Sequence, residues 1–360
     1  MNKICFLFVA ILTSLVFFSC RSLRIIEIET YNPSAITFPS DVKTIMIVNN
    51  SAQQPDGIGH HYISKKNGDS LISVSADSMA YYFCMSLGKA IAESPFFSDV
   101  RICDDTLRMD SLFYYVKQLS VNDVNLLCSE YGVDALIVLD KLHFMTTYYN
   151  KELVFLNGNA LTVEISGELR ALWPEQKEAY KIPFQDSLSW IIDEEDYYNN
   201  NDIKDLLIQN DIVTAMLYIS ELVGQKIHSS VVPHWTTDNR WYYTSLSSDW
   251  KEGTAYATAD KWAEAEKLWE PLYNKTNNWK HKARLSSNLA LCNEMTGNFD
   301  KASEYATISY NLFKEYDKKD STYITIQKAY IEILEKRKSD DSMLSKQLNE
   351  VGNQSPASIE

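Results

Sequence analysis

Between Leu161 and Trp173, every second residue is apolar or glycine, and the intervening residues are polar as far as Arg170. Side chains alternate between the two faces of a β-strand, so this pattern predicts a long strand with one buried face. The turn sequence PEQKE follows, and AYKIPFQDSLSW returns as the second strand of a hairpin. A hairpin of this length needs further strands beside it, so the chain must contain a larger sheet.

The segments before the hairpin alternate between strand and helix patterns. Short apolar runs predict strands at KTIMIVNN, SDVRICDD and VDALIVLD, and helices are predicted at residues 78–92 and 120–132. Strand–helix alternation favours right-handed crossovers and a parallel core. With the hairpin and a helix near residues 203–228, this predicts an α/β domain with a mixed sheet and flanking helices over residues 40–230.

The C-terminal part contains a repeat. DKWAEAEKLWEPL, from Asp260, aligns with GNFDKASEYATIS, from Gly297, at an offset of 37 residues. Small residues would let paired helices approach closely, and an aromatic residue would fill the space between their turns. The candidate packing residues are Gly253, Trp262 and Ala265 in the first copy and Ala290, Gly297, Phe299 and Ala302 in the second.

This pattern resembles tetratricopeptide repeats, whose usual period is 34 residues. The resemblance implies an all-α helical repeat domain over residues 246–338, with a third helix as its cap. The polar stretch 339–360 is expected to be a disordered tail. Between the domains, residues 231–245 form an aromatic linker, with a sugar-stacking platform as the functional alternative.

The chain begins with Lys3, an apolar run from Ile4 to Phe18, and Ser19-Cys20. Fifteen helical residues span about 22 Å, less than the roughly 30 Å of a hydrocarbon core. The stretch resembles the lipobox of bacterial lipoproteins, which implies a signal peptide over residues 1–19 and a lipid on Cys20. An ordinary secretory leader or a short anchor is the alternative.

The residues after Cys20 bear on the compartment. Surface-exposed lipoproteins often carry an acidic cluster there, whereas this chain has Arg21 and Arg24. We therefore expect a lipid-anchored linker over residues 20–39, in the outer membrane and facing the periplasm, with surface exposure left open. The order of leader, first strand, mixed sheet, VVPHW and repeats resembles an uncharacterised family of lipoproteins from Bacteroidota, which has no assigned activity.

Charge and motifs restrict the chemistry. The formal net charge of -14 repels nucleic acid, and no basic stripe offsets it. Neither a cofactor nor a metal site is expected: His60-His61 lacks further ligands, and the acidic run Asp193–Asp196 lacks a spaced calcium loop. Asn49-Asn50-Ser51 follows the first strand, where open α/β sheets bind ligands, although a simple turn explains it equally.

Four cysteines remain after the leader and the lipobox, namely Cys84, Cys103, Cys128 and Cys292. Their even number permits disulfides in an oxidising compartment. The apolar helical patterns around Cys84 and Cys128 favour buried thiols instead.

Three functions follow from these features. The first is a non-catalytic, membrane-anchored scaffold whose helical repeats bind an envelope protein or peptide. The second is a glycan-binding lipoprotein of a polysaccharide-uptake system. The third is a hydrolase acting through His60, His61 and Asp104.

Overall fold

The computed structural model describes residues 23–65, 68–105, 107–108, 110, 112–150, 159–176, 178–192, 201–317 and 321–351. They form two compact units. The α/β unit comprises the described residues of 33–234 and those from Leu344 onward, and the helical unit comprises those up to Asn32 and of Trp235–Met343. The predicted fold class, an α/β region with a mixed sheet followed by an all-helical region, is confirmed.

The elements are named in chain order. The described strands are β1 (Leu23–Asn32), β2 (Thr44–Asn49), β3 (His60–Ser64), β4 (Gly68–Leu71), β5 (Asp99–Ile102), β6 (Ala135–Tyr149), β7 (Asn159–Leu172), β8 (Tyr180–Ile192) and β9 (His234–Tyr243). The described helices are α1 (Met79–Ala92), α2 (Val121–Tyr131), α3 (Asn201–Ile227), α4 (Ser248–Ala257), α5 (Trp262–Lys275), α6 (Trp279–Met295), α7 (Phe299–Tyr316) and α8 (Ser321–Val351).

Strand β6 organises the sheet of the α/β unit. Its first half pairs in parallel with β2 and its second half with β3, while β7 pairs antiparallel along the other edge. β5, β4 and β8 extend the sheet beyond β2, β3 and β7 respectively. The predicted hairpin is β7–β8, and its alternation is confirmed because Leu161, Val163 and Ile165 are buried in the core.

Helices cover both faces of the parallel strands. Ile45 and Ile47 of β2 pack in the same core as α1 and α3, whereas Met46 and Val48 pack with α2. Helix α2 begins at a capping box between Ser120 and Asp123. These contacts explain why β2 is a continuous apolar run, since a strand covered on both faces has no solvent side.

The segment Leu206–Ser230, which joins most of α3 to the 3-10 turn His228–Ser230, is long and apolar enough to cross a membrane, with a mean hydropathy of 1.3. Its residues Ile212, Met216 and Ile219 are buried in the core of the α/β unit. A core helix meets the same criteria, so this segment is weak evidence for a membrane span.

The helical unit consists of α4–α7, α8 as far as Met343, and a two-stranded sheet of β1 and β9. Tyr31 contacts Trp235, and Arg24 lies near Tyr242, so the two strands run antiparallel. The residues expected to form a lipid-anchored linker (20–39) and an aromatic linker (231–245) thus contain strands β1 and β9. Ile28, Tyr242 and Tyr243 are buried against the helices, which stabilises both strands.

The polar stretch expected to be a disordered tail begins inside α8, which continues to Val351. Gln347 is fully buried within the α/β unit. Its amide donates to the carbonyls of Ser34 and Ile36 and accepts from the Ser34 N–H. A polar sequence is ordered here because one buried amide satisfies several backbone groups.

Candidate functional site

A cleft of about 810 Å³ opens in the α/β unit at the carboxyl ends of β2 and β5. Asn49 and Ser51 line it directly after β2, Asp104 lines it after β5, and Ser78 and Tyr81 line it at the start of α1. Ligands of open α/β sheets bind at this edge. The cleft is therefore the candidate functional site.

Of the three residues that follow the apolar run of β2, Asn49 and Ser51 form the cleft wall, and Asn50 is buried beneath it. The Asn49 side-chain oxygen accepts hydrogen bonds from the Ser51 N–H (3.0 Å) and hydroxyl (2.7 Å), which forms a tight turn at the cleft wall. Asn50 is buried and donates to the Lys117 carbonyl and to Asp140 Oδ1. The turn thus fixes two side chains on the cleft and anchors the third beneath it.

Gln54 takes the place of a strand beside β6. Between the segments that pair with β2 and β3, the Phe144 N–H donates to Gln54 Oε1 (2.8 Å), and Gln54 Nε2 donates to the Phe144 carbonyl (2.9 Å). Gln54 and Phe144 both line the cleft. This floor is rigid because a buried side-chain amide replaces two backbone ladder bonds.

Arg108 also lines the cleft. It is buried and donates from Nε and Nη2 to the two carboxylate oxygens of Asp110, at 2.9 Å each. This fork, with the Leu112 N–H, holds the pKa of Asp110 below its usual value. A bidentate pair fixes the guanidinium plane. Nη1 makes no hydrogen bond to any residue that the structure describes, so it can donate to a ligand.

Behind the cleft lies a buried ion pair. Asp140 stands where the β6–β7 register shifts, between Leu139 and Lys141, and Arg170 of β7 pairs with it. Arg170 Nη2 donates to Asp140 Oδ1 at 2.9 Å, and Nε contacts Oδ2. The same carboxylate accepts from Asn50. The pair therefore connects the turn after β2 to the centre of the sheet.

The chemistry of the lining is polar and acidic. Asp56, Asp77 and Asp104 add carboxylates, and among the described lining residues Arg108 alone is basic. Tyr81 lines the cleft and is 45% exposed. Hydrogen-bond acceptors, an arginine donor and an aromatic ring are the groups that contact sugar hydroxyls and sugar faces, whereas the excess of carboxylates disfavours an anion.

The turn before α1 brings a strained residue to the cleft. Ser78 has φ of +65°, a left-handed conformation that costs a residue other than glycine about 1–3 kcal/mol. Strain of this kind is concentrated at functional sites. It places Asp77, Ser78 and Tyr81 together on the lining.

Comparison with known families gives two matches. Residues 42–243, more than half of the chain, match the model of a domain of unknown function, DUF8603. The chain belongs to the DUF8603 family. Residues 251–336 match a second domain of unknown function, DUF6340. No curated protein matches the chain.

In this DUF8603 protein, the hydrolase candidates are not brought together. His60 and His61 are neighbours on β3, so their side chains lie on opposite faces of the sheet. His60 is buried, with Nδ1 at 2.9 Å from Thr146 Oγ1, and His61 pairs with Asp69. Asp104 lines the cleft without either histidine. In the described part of the chain, no group of three His, Cys, Asp or Glu residues could hold a metal ion.

Burial lowers the pKa of His60 from 6.5 to about 4, and the nearby His143 adds to this effect. Between these two values the unfolded chain binds a proton that the folded chain does not. Stability should therefore fall by about 3 kcal/mol as the pH drops from 6.5 to 4. His60→Asn, which keeps a polar atom near Thr146, should remove this part of the pH dependence in urea unfolding, whereas the control His228→Asn, at a half-buried site, should retain it. Equal pH slopes for His60→Asn and the native protein would contradict this assignment.

Three predicted features lie outside the described residues, namely the signal peptide (1–19), Cys20 and the acidic run 193–196. The cysteines Cys84, Cys103, Cys128 and Cys292 are free and buried. Burial raises the pKa of Cys84 to about 12 and that of Cys128 to about 11. These thiols are therefore unreactive.

The candidate repeat residues lie between the helices of the helical unit. A Cβ on Gly253 of α4 would come within 2.4 Å of Trp269 Nε1 of α5, so this contact requires glycine. Ala290 of α6 and Ala302 of α7 share one cluster with Tyr330. The remaining predicted residues are Trp262 and Ala265, which are buried on α5, Phe299, which is buried at the start of α7, and Gly297, which has φ of +77° before α7.

Strand β9 lies against the first helix of each hairpin and against α8. Asn288 of α6 bonds both backbone groups of Tyr243: it accepts from the N–H (2.6 Å) and donates to the carbonyl (2.8 Å). Trp250 of α4 donates to the same carbonyl, and Gln327 of α8 donates to the Tyr243 hydroxyl. The helical surface expected to bind a partner peptide thus holds an extended segment of the chain itself.

A second contact fixes β9. Arg240 donates from Nε and Nη2 to Glu294 of α6, at 2.8–3.1 Å, and Tyr330 of α8 donates to the same carboxylate at 2.8 Å. Both members of the ion pair are buried. Sequence reasoning did not identify Asn288 or Glu294, because their partners lie about 50 residues away on β9.

Proposed function

We propose that this protein is a non-catalytic lipoprotein of the cell envelope that binds a neutral, polyhydroxylated ligand with the chemistry of a saccharide in the cleft of the α/β unit. The supporting observation is the cleft itself. Its walls are held by the Asn49 turn, by Gln54 and by the Arg108–Asp110 fork, and Tyr81 supplies an exposed ring. A pre-organised polar site with an exposed aromatic ring binds a sugar without a large ordering cost.

The envelope location rests on the leader. In this proposal residues 1–19 are removed and Cys20 carries a lipid that holds the protein in the outer membrane, facing the periplasm. The apolar run from Ile4 to Phe18, which ends at Ser19-Cys20, supports this location. Nucleic acid is not a proposed partner, because the net charge is strongly negative.

The proposed role is binding and not catalysis. A general acid in glycoside hydrolysis needs a carboxyl group with a raised pKa. Arg108 instead keeps the pKa of Asp110 low. The separation of Asp104 from His60 and His61 likewise favours binding over the hydrolase alternative.

A second candidate function is a protein-interaction scaffold through tetratricopeptide-like helices. The observation that favours it is the Asn288 contact, since an amide that bonds both backbone groups of one residue recognises any extended peptide. In this structure β9 occupies that contact. A partner peptide would have to displace β9, so the cleft is the better-supported site.

Neighbouring tyrosines provide the test. Tyr81 lines the cleft, whereas Tyr82 does not, and the two are 45% and 37% exposed. We expect the full-length protein to bind members of a panel of neutral oligosaccharides in preference to uronic-acid oligosaccharides. Tyr81→Ala should weaken binding about tenfold through lost stacking, as measured by calorimetry. Tyr82→Ala should leave the affinity within about twofold of native.

Equal losses for the two variants would place the ligand outside the cleft. Preference for the acidic oligosaccharides would contradict the assigned ligand class. Capture of an extended peptide with no saccharide binding would favour the scaffold function.

A further inference from the structure

We propose that one end of the helical unit is a membrane-contacting surface, formed by Leu246 and Ile25 beside the start of β1, and that its partner is the lipid layer that holds the anchor. The proposal rests on the lipid at Cys20. It extends the proposed function by stating which surface meets the membrane.

The tether, which is the chain between the lipidated Cys20 and strand β1, is short. Only Arg21 and Ser22 separate Cys20 from Leu23, where β1 begins. Three Cα steps span at most about 11 Å. A lipid on Cys20 therefore holds the start of β1 within about 11 Å of its own attachment point, whatever the chain does elsewhere.

The start of β1 belongs to a strand that is fixed within the helical unit. Thr30 of β1 bonds Thr236 and Asp238 of β9, and Ile28 is buried against the helices. The lipid thus positions a folded body and not a loose arm. The helical unit is held against the membrane by its own first strand.

This end of the helical unit exposes large apolar side chains. Because β1 and β9 are antiparallel, the start of β1 lies beside the end of β9, and the chain continues from Tyr243 through Leu246 into α4. Leu246 is 78% exposed and Ile25 is 73% exposed. Large apolar side chains at the point where a lipid tether emerges match an interfacial contact.

The charge of this end is mixed. Arg24 and Lys251 are exposed here, and so are Glu27 of β1 and Asp249 and Glu252 of α4. The opposite charges offset one another, so headgroup attraction is weak. Apolar insertion of Leu246 and Ile25 therefore provides the contact, and it should depend little on the fraction of anionic lipid.

Site-specific fluorescence tests this surface. Leu246→Cys would carry a nitrobenzoxadiazole label in the full-length, lipidated protein, since the described native thiols are buried. The matched control is Ala259→Cys, exposed in the turn at the other end of α4, which is about 15 Å long. In vesicles of neutral phospholipid containing a spin-labelled lipid, we expect the label at 246 to be quenched several-fold more than the label at 259.

The possible results distinguish the proposed membrane-contacting surface from the proposed lipid anchor. Co-flotation of the protein with vesicles, combined with equal quenching at 246 and 259, would overturn the surface and leave the anchor standing. No co-flotation would overturn both. Quenching at 246 that vanished unless anionic lipid was present would contradict the apolar mechanism.

Discussion

Replacing Arg170 with methionine is expected to destabilise the α/β unit by about 3–5 kcal/mol, because it leaves Asp140 as a buried carboxylate without its counterion. Arg170 and Asp140 are both almost fully buried, and two of the arginine nitrogens contact the two carboxylate oxygens. After the substitution Asn50 would be the one described residue that still donates to this carboxylate. Hydrogen exchange of the β6 and β7 amides, together with urea unfolding, measures the loss.

Two control variants show whether the loss of stability comes from leaving a buried charge unpaired. Arg101→Met breaks a half-exposed pair with Asp99 in the same unit and should cost at most about 1 kcal/mol. The double variant Arg170→Met with Asp140→Leu removes both charges and should recover most of the stability. A loss of less than about 1 kcal/mol for Arg170→Met alone would show that Asp140 reaches water and that the ion pair does not support the cleft.

Replacing Arg240 with methionine is expected to have a comparable effect on the helical unit, a loss of about 3–5 kcal/mol. Arg240 is the bidentate partner of the buried Glu294 and joins β9 to α6. Arg337, at 3.7 Å from Glu294, offsets part of the charge, so the loss should lie at the lower end. The Tyr242 and Tyr243 amides should exchange faster, because β9 loses the ion pair that attaches it to α6.

The control in the helical unit is Lys301→Met. Lys301 pairs with Glu266 at 2.8 Å, but both side chains are partly exposed, so the expected loss is at most about 1 kcal/mol. If Arg240→Met and Lys301→Met had equal effects, or if β9 exchange were unchanged, the ion pair would not hold β9 on the helices.

The regular patterns of the sequence predicted the regular elements. The alternation from Leu161 predicted β7, and the apolar run KTIMIVNN predicted β2, because each pattern reflects local burial on one or two faces of a sheet. Strands β1, β3 and β9 were not predicted. They carry polar or mixed patterns, and their partners are distant: β3 pairs with β6 about 86 residues away, and Thr30 of β1 bonds Thr236 of β9.

The site was predicted only in part. The rule that ligands bind after parallel strands identified Asn49 and Ser51. It applies equally to Asp104, which follows β5, and to Asp140, which lies directly after the part of β6 that pairs with β2. Gln54, Arg108 and Arg170 carry no such signal. Their roles depend on hydrogen bonds to Phe144, Asp110 and Asp140, and two of these partners come from other segments of the chain.

A crystal structure of the native protein, grown with the neutral oligosaccharide that binds most tightly in the panel, tests the central claim most directly. We expect a sugar ring against Tyr81, with its hydroxyls bonded to Asp104 and to Arg108 Nη1. The Asn49–Ser51 turn and the Gln54 contact with Phe144 should be unchanged, because the cleft is already organised. A saccharide bound elsewhere, or a cleft that stays empty at saturating saccharide, would contradict the assignment of this cleft as the ligand site.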